Sequence, residues 1–255
     1  MGSWKAAASA RSHPNDMADS KLSALSLCSG IGGIEAGLSS IMPRSRVLGY
    51  VERDSYAASV LLARMEDETL EPAPVWCGDI ESFPASQFAG RTDLVTAGFP
   101  CQPFSAAGKR ERERDERHLW PAIARVIETV GPRLVFLENV QVKAFREPWR
   151  DLRAMGFEVS DPFACTAAEL GAGHLRRRVF VLARHPDHQG QPQQGAAVEE
   201  GRGWDRDTAR WQSEPGVDRV VHGVPAGVDR LRCLGNAVVP QQARFAFESL
   251  IAKLS

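Results

Sequence analysis

Residues 22–34 read Leu22-Ser-Ala-Leu-Ser-Leu-Cys-Ser-Gly-Ile-Gly-Gly-Ile34: a strand-like apolar run to Cys28, a turn carrying three glycines, then the start of a helix. Ile34, Leu38 and Ile41 continue at helical spacing. Strand, tight glycine turn and helix in that order open an α/β unit. The pattern repeats outward from there. Residues 47–51 form a second strand-like run that stops at Glu52, and 56–65 read as helix. Residues 75–77 lead to Gly78-Asp79, and 93–97 lead to Gly98-Phe-Pro-Cys101. A helix over 119–130 precedes a strand over 134–137 that ends at Glu138-Asn139, and 179–182 is a late strand. Alternation of this kind predicts an α/β domain over residues 21–184 with a mainly parallel sheet. In such sheets ligands bind at the carboxyl ends of the strands, which is where the polar and reactive residues recur.

The chain has 255 residues, 43% apolar and 25% charged, with a formal net charge of -1. That is ample for one domain with a buried core, and too apolar for general disorder. No run approaches the ~20 apolar residues of a membrane-spanning helix, so no membrane partner is expected. Residues 1–20 lack the hydrophobic block of a secretory signal and read as a flexible leader, with Met17 a second candidate start. Five cysteines form no CxxC pair, and an odd set argues against a disulfide framework or a zinc site; no metal is expected, and a reducing cytoplasm fits. Near-neutral charge means that any nucleic-acid contact must rest on local positive potential. Residues 185–210, rich in Gly, Gln and charge and almost without aliphatics, read as a polar insert. Residues 211–255 form a C-terminal segment closing in a helix over 240–254, with Phe245, Leu250 and Ile251 inward.

Ser29-Gly30-Ile31-Gly32-Gly33 lets the backbone pass close to a ligand and aims amides at it. Its spacing is not that of the dinucleotide fingerprint. Glu52, ending the next strand, is placed to accept from ribose hydroxyls, and Asp79 from an adenine amino group. Each acid alone reads as a solvated strand-end carboxylate. Three compatible features at successive strand ends read as a nucleoside site. Further on, Pro100 and Pro103 bracket Cys101 and stiffen its loop, which favours an accessible, reactive thiol; Cys28, Cys77, Cys165 and Cys233 read as ordinary buried cysteines. Residues 109–117 alternate bases and acids, either as a solvated helix face or as a mobile segment whose arginines meet phosphates. Glu138 ends a strand, and Arg176 and Arg178 share one face of another with Arg177 opposite.

Taken in linear order, these motifs resemble the DNA (cytosine-5)-methyltransferases. Residues 29–33 resemble the family's first cofactor motif, Glu52 its ribose-binding acid, and Asp79-Ile80 its adenine-side motif. Phe99-Pro-Cys-Gln-Pro-Phe-Ser105 resembles the nucleophile loop, Glu138-Asn-Val140 the ENV motif, Arg176-x-Arg178 the paired arginines, and Leu234-Gly-Asn-Ala-Val-Val-Pro240 the last motif. The resemblance implies a Rossmann-like class I S-adenosylmethionine-dependent fold with helices on both sheet faces. It implies S-adenosylmethionine as cofactor, S-adenosylhomocysteine as product, and a cofactor site of Ser29, Gly30, Ile31, Gly32, Gly33, Glu52, Asp79, Ile80, Pro100, Leu119, Asn236 and Ala237. It further implies Cys101 as the nucleophile that attacks C6 of a flipped-out cytosine, Glu138 acting at N3, Arg178 holding O2, and Arg176 supporting the loop and base pocket.

The chain departs from the family pattern in several places. Cys28 stands where an aromatic usually packs on the cofactor, and Arg53 where a large apolar residue is common. His174 and Arg177 replace the usual Gln and Glu around the arginine pair. The region between the arginine motif and the final motif is short and polar where the family has a recognition domain. The expected partner is therefore double-stranded DNA, bound weakly and salt-sensitively at a short or relaxed target, unless a partner chain supplies recognition. The marks would belong to restriction-modification or a related role in a prokaryotic or phage-like setting. Two other functions compete: a non-catalytic DNA- or partner-binding protein that keeps the fold, and an RNA cytosine-5 methyltransferase.

Overall fold

The computed structural model describes residues 21–100, 119–187 and 227–254. Cys101, the charged run at 109–117, the leader, residues 211–226 and most of the 185–210 insert lie outside the described residues.

The sheet is built by the apolar runs that the sequence marks. In chain order its first five strands are β1 (Ser23–Leu27), β2 (Arg46–Glu52), β3 (Val75–Cys77), β4 (Leu94–Gly98) and β5 (Leu134–Asn139). All pair in parallel, in the order β3-β2-β1-β4-β5. The helices are α1 (Gly33–Ser39), α2 (Ser55–Glu66), α3 (Trp120–Val130), α4 (Arg146–Ala154), α5 (Gly227–Asn236) and α6 (Pro240–Ile251). Because β1 has β2 on one side and β4 on the other, the chain reverses its direction of travel at β1, and a crevice opens there at the carboxyl edge.

Both faces of the sheet are covered, and so β5 is buried along its whole length. Its Val135 and Leu137 face one way, with Leu25, Leu27 and Val95, against Ile123 and Ile127 of α3 and Leu152 of α4. Leu134 and Phe136 face the other way, against Ile34 and Leu38 of α1 and Ala243, Phe247 and Leu250 of α6. This is a Rossmann-like α/β arrangement. α2 is started by Asp54, whose carboxylate accepts from the amides of Tyr56 and Ala57.

The far edge departs from the parallel pattern. β6 (Glu158–Val159), β7 (Phe163–Thr166) and β8 (Arg177–Arg184) complete the sheet, and β8 runs antiparallel to β5 with Glu138 opposite Phe180 and Asn139 opposite Val179. The amino end of β8 therefore arrives where the parallel strands finish.

Two sequence expectations need correction. Phe245 does not point inward: it is 41% exposed, edge-on to Phe163, and Phe247 takes the buried position. Apolar spacing leaves the phase of a short helix open, and Ala243, Ala246 and Leu250 fix it here. Of the four cysteines read as buried only Cys165 is: Cys77 is exposed, because it ends the three-residue edge strand β3, and Cys28 and Cys233 are half-buried.

Residues 227–254 pack back on the start of the domain. A Cβ on Gly33 would lie 2.2 Å from the Val238 carbonyl oxygen, and one on Gly37 2.3 Å from that of Pro240. Only glycine allows α1 and the C-terminal segment to approach this closely. Among the described residues no helix is long and apolar enough to cross a membrane, and no group of three potential metal ligands is found.

Candidate active site

A cavity of about 820 Å³ opens at the carboxyl edge of the parallel strands. It lies in the upper part of the size range of small-molecule sites. Ser29, Gly30, Ile31 and Gly33 from the β1–α1 turn line one wall, with Glu52 from β2 and Asp79 and Ile80 after β3. Pro100 and Leu119 line the middle, and Glu138 and Arg178 the far end. Asn236 and Ala237 return from the C-terminal segment to close it. Of the sequence-predicted residues that are described, Gly32 and Arg176 stand outside the lining. Gly32 sits behind the turn, against Leu70.

Glu52 is held by backbone. Its Oε2 accepts from the Gly30 amide at 2.7 Å and its Oε1 from the Asp54 amide at 2.8 Å. Burial raises its carboxyl, and those two amides oppose the rise. A carboxylate oxygen has two lone pairs, so each oxygen keeps one for a hydroxyl donor. Asp79 caps the following turn through the Glu81 amide at 2.9 Å, and its other oxygen lies 3.7 Å from the Arg53 guanidinium. Arg125 of α3 holds the Ile80 carbonyl at 2.8 Å, which fixes that turn from below. Two carboxylates with spare acceptor capacity beside a close-approach glycine turn suit a nucleoside bearing hydroxyl and amino groups. The residues present fit S-adenosylmethionine.

Cys28 lines the same wall, yet its chemistry is muted. Burial, then the negative charges of Glu52 and Asp79, push its thiol up to about 12. It stays protonated at neutral pH and is no nucleophile.

The far end is drier. Glu138 and Arg178 are both buried, and Arg178 Nε lies 2.9 Å from Glu138 Oε1, although the two atoms are out of hydrogen-bond alignment. Burial pushes the Glu138 carboxyl up to about 7, against the pull of Arg178 and Arg176. The remaining Arg178 donors reach the carbonyls of Arg177 at 3.0 Å and of Gly235 and Ala237 at 3.4 Å. Arg176 donates to the carbonyls of Leu234, Gly235 and Ala237, from a backbone with φ of 26°. It clamps the C-terminal segment and does not face the cavity. Gln242 of α6 answers by donating to the Arg176 carbonyl at 2.8 Å.

Sequence reasoning missed Asn139 as a working residue. Its buried side-chain amide donates to the Phe99 carbonyl at 2.9 Å, which anchors the chain two residues before Cys101. The signal was its place beside Glu138. Arg125 and Gln242 carried no local signal, since both act on residues distant in sequence.

Comparisons with known proteins give the family and the fold. A family model described as C-5 cytosine-specific DNA methylase matches residues 22–203. The Type II methyltransferase M.CviJI of Paramecium bursaria Chlorella virus IL3A is 29% identical over 231 residues, covering 89% of this chain and 58% of that protein. The Type II methyltransferase M.AluI of Cellulosimicrobium cellulans is 34% identical over 181 residues, covering 65% of this chain and 34% of the other. The chain thus spans well under two thirds of these relatives. The S. pombe Dnmt2 methyltransferase shares the fold, with a TM-score of 0.53 and 24% identity over 71% of this chain and 58% of that one.

Proposed function

The chain belongs to the C-5 cytosine-specific DNA methylase family, and we propose that it transfers a methyl group from S-adenosylmethionine to C5 of cytosine in DNA. The observation that carries this reading is the buried Glu138–Arg178 pair sharing one cavity with Glu52, Asp79 and the glycine turn. A carboxyl that titrates at about 7 in a dry pocket is suited to proton exchange with a base.

When bound, S-adenosylmethionine supplies a methyl carbon made electrophilic by its sulfonium. Everything else falls to the chain. Cys101, which follows Pro100 in the sequence, is proposed as the thiolate that adds to C6. As the S–C6 bond forms, the ring electrons move to N3, which takes the proton of Glu138 and leaves C5 the nucleophilic carbon of an enamine. Arg178 donates to O2 and offsets the carboxylate left on Glu138. After methylation, water takes the C5 proton, the C5–H electrons form the C5–C6 double bond and expel the thiolate, and N3 returns its proton to Glu138. The carboxyl is reset for the next cycle.

Glu52 and Asp79 hold the nucleoside part of the cofactor, and Ser29, Ile31 and Ile80 shape its pocket. Arg176 acts at one remove, by fixing Ala237 against the cavity. Recognition of the target bases is assigned to the polar insert at 185–210 or to a partner chain.

Labelled methyl transfer tests the reading. Wild type is expected to label duplex DNA at cytosine and to form a covalent adduct with 5-fluorocytosine DNA, while Cys101→Ala does neither. Labelling of transfer RNA in preference to DNA would move the substrate to RNA. Binding of DNA without adduct in the presence of cofactor would leave a non-catalytic role.

A further inference from the structure

The glycine turn of the candidate cofactor cavity is tied down from two sides, and the second tie comes from a residue outside the cavity. On the first side Glu52 takes the Gly30 amide. On the second, the Ile31 carbonyl accepts from Nη1 of Arg64, a half-buried residue in the last turn of α2. Ile31 lines the cavity and Arg64 does not, so this bond draws the Ile31 oxygen away from the site. The peptide between Ile31 and Gly32 is oriented by two torsions, one of which belongs to Gly32, a glycine with φ of 77° that adopts either sign of φ with ease. Rotation of that peptide would turn an acceptor toward a cavity where the turn otherwise offers donors. It would also break the bond from the Gly32 amide to the Ser29 carbonyl at 2.9 Å.

The segment after α2 is built to hold Arg64 in place. The Arg64 carbonyl accepts the amides of Thr69 and Leu70, both at 2.9 Å, and its Nε donates to Thr69 Oγ1 at 3.4 Å. Asp67 fixes that loop, accepting from the Thr69 amide at 3.1 Å and the Thr69 hydroxyl at 2.6 Å. Leu70 is buried directly behind Gly32, where an added Cβ would meet its Cδ1 at 2.4 Å. One loop thus brings a charged donor to Ile31 and an apolar stop to Gly32. Resting on the cofactor reading of the cavity, we infer that Arg64 is a positioning residue for S-adenosylmethionine: by holding the Ile31 carbonyl it fixes the donor-bearing face of the 29–33 turn before the cofactor arrives. Such pre-ordering raises affinity and not turnover, because the bond is the same in ground and transition states. Arg64 itself stays behind the turn and touches no reacting atom.

Calorimetry with S-adenosylhomocysteine and initial rates of methyl transfer test the inference. Arg64→Gln, whose amide is too short to reach Ile31, should bind S-adenosylhomocysteine about 10-fold more weakly, the effect of one charged hydrogen bond. Its KM for S-adenosylmethionine should rise by a similar factor, while kcat stays within about 2-fold. Arg64→Lys keeps a charged donor on the same side and should recover to within about 3-fold of wild type. With Ile31 labelled at its carbonyl carbon, Arg64→Gln should move that resonance upfield, and Arg64→Lys should move it less. Should Arg64→Gln not fold, Arg64→Met carries the same expectations. A variant that binds like wild type, or that melts earlier with affinity unchanged, makes Arg64 a brace of the helix and overturns the inference. So does a loss confined to kcat, or an Arg64→Lys protein that binds as poorly as Arg64→Gln. A wild type that binds no S-adenosylhomocysteine overturns the cofactor reading itself, and the carbonyl resonance, which needs no ligand, tells that result from failure of the Arg64–Ile31 bond.

Discussion

Glu52 and Glu138 end parallel strands of one sheet and line one cavity, but they are held by different means. Glu52 lies among parallel strands, and backbone amides from the two adjoining turns satisfy it. Glu138 lies where the sheet changes direction, and its partner is a guanidinium delivered by the antiparallel strand β8. Two well-placed amides favour the charged form and leave lone pairs for a ligand. One misaligned guanidinium in a dry pocket leaves the carboxyl poised between forms, at about 7. The sheet thus makes a binding acid and a proton-exchanging acid from the same residue type by changing the donor around it.

The contrast is broken most severely at its dry end. Glu138→Gln should lower kcat by about 10²-fold or more, the usual contribution of a positioned acid, with little change in KM for the cofactor. Wild-type kcat should fall as pH rises through about 7, where Glu138 loses its proton. The variant should lose that alkaline limb, and a pH profile of single-turnover rates checks it.

Arg178→Met comes next, and its effect should depend on pH. The Glu138 carboxyl is raised from 4.5 to about 7 in the folded protein. Its contribution to stability is therefore complete below about pH 4.5 and is lost as pH rises through 7. Arg178 lowers the folded value, so removing it extends the loss to higher pH. Urea titrations should show a deficit of roughly 3–5 kcal/mol at pH 8.5, as for a buried charge left alone, and a smaller one at pH 6.

The wet end should be milder. Glu52→Gln is expected to raise KM for the cofactor by about 10-fold with kcat nearly unchanged, since it removes charge from bonds made equally in ground and transition states. Asp79→Asn should be the smallest. Its ion pair with Arg53 is exposed on both sides, and such pairs contribute about 0–1 kcal/mol. Initial-rate kinetics and thermal melts separate the two.

The wet end was also the more legible in sequence. Ser29, Gly30, Glu52 and Asp79 each follow an apolar run, and a parallel sheet brings the ends of consecutive runs to one edge without further information. The dry end depends on pairing between residues far apart in sequence. That β8 runs antiparallel, bringing Arg178 beside Glu138, is a fact of register that no local pattern encodes. Arg176 was expected to support the loop and base pocket; the structure sets its guanidinium on the carbonyls of Leu234, Gly235 and Ala237, the last two of which line the cavity. Alternation placed Arg176 on a strand face with Arg178, but β8 begins at Arg177 and Arg176 precedes it with φ of 26°. Phe247 takes the inward place expected of Phe245 for a similar reason, since small residues at Ala243 and Ala246 decide which helix face meets Phe136. Nucleophile assignment still rests on sequence alone, because Cys101 lies outside the described residues.

The contact of Gly33 and Gly37 with Val238 and Pro240 has a consequence for biosynthesis. A ribosome that has made residues 21–187 has supplied every strand among the described residues, but Ile34, Leu38 and Phe136 lack the cover of α6 until residues 240–250 emerge. The nascent polypeptide carries an uncovered apolar slab through that interval.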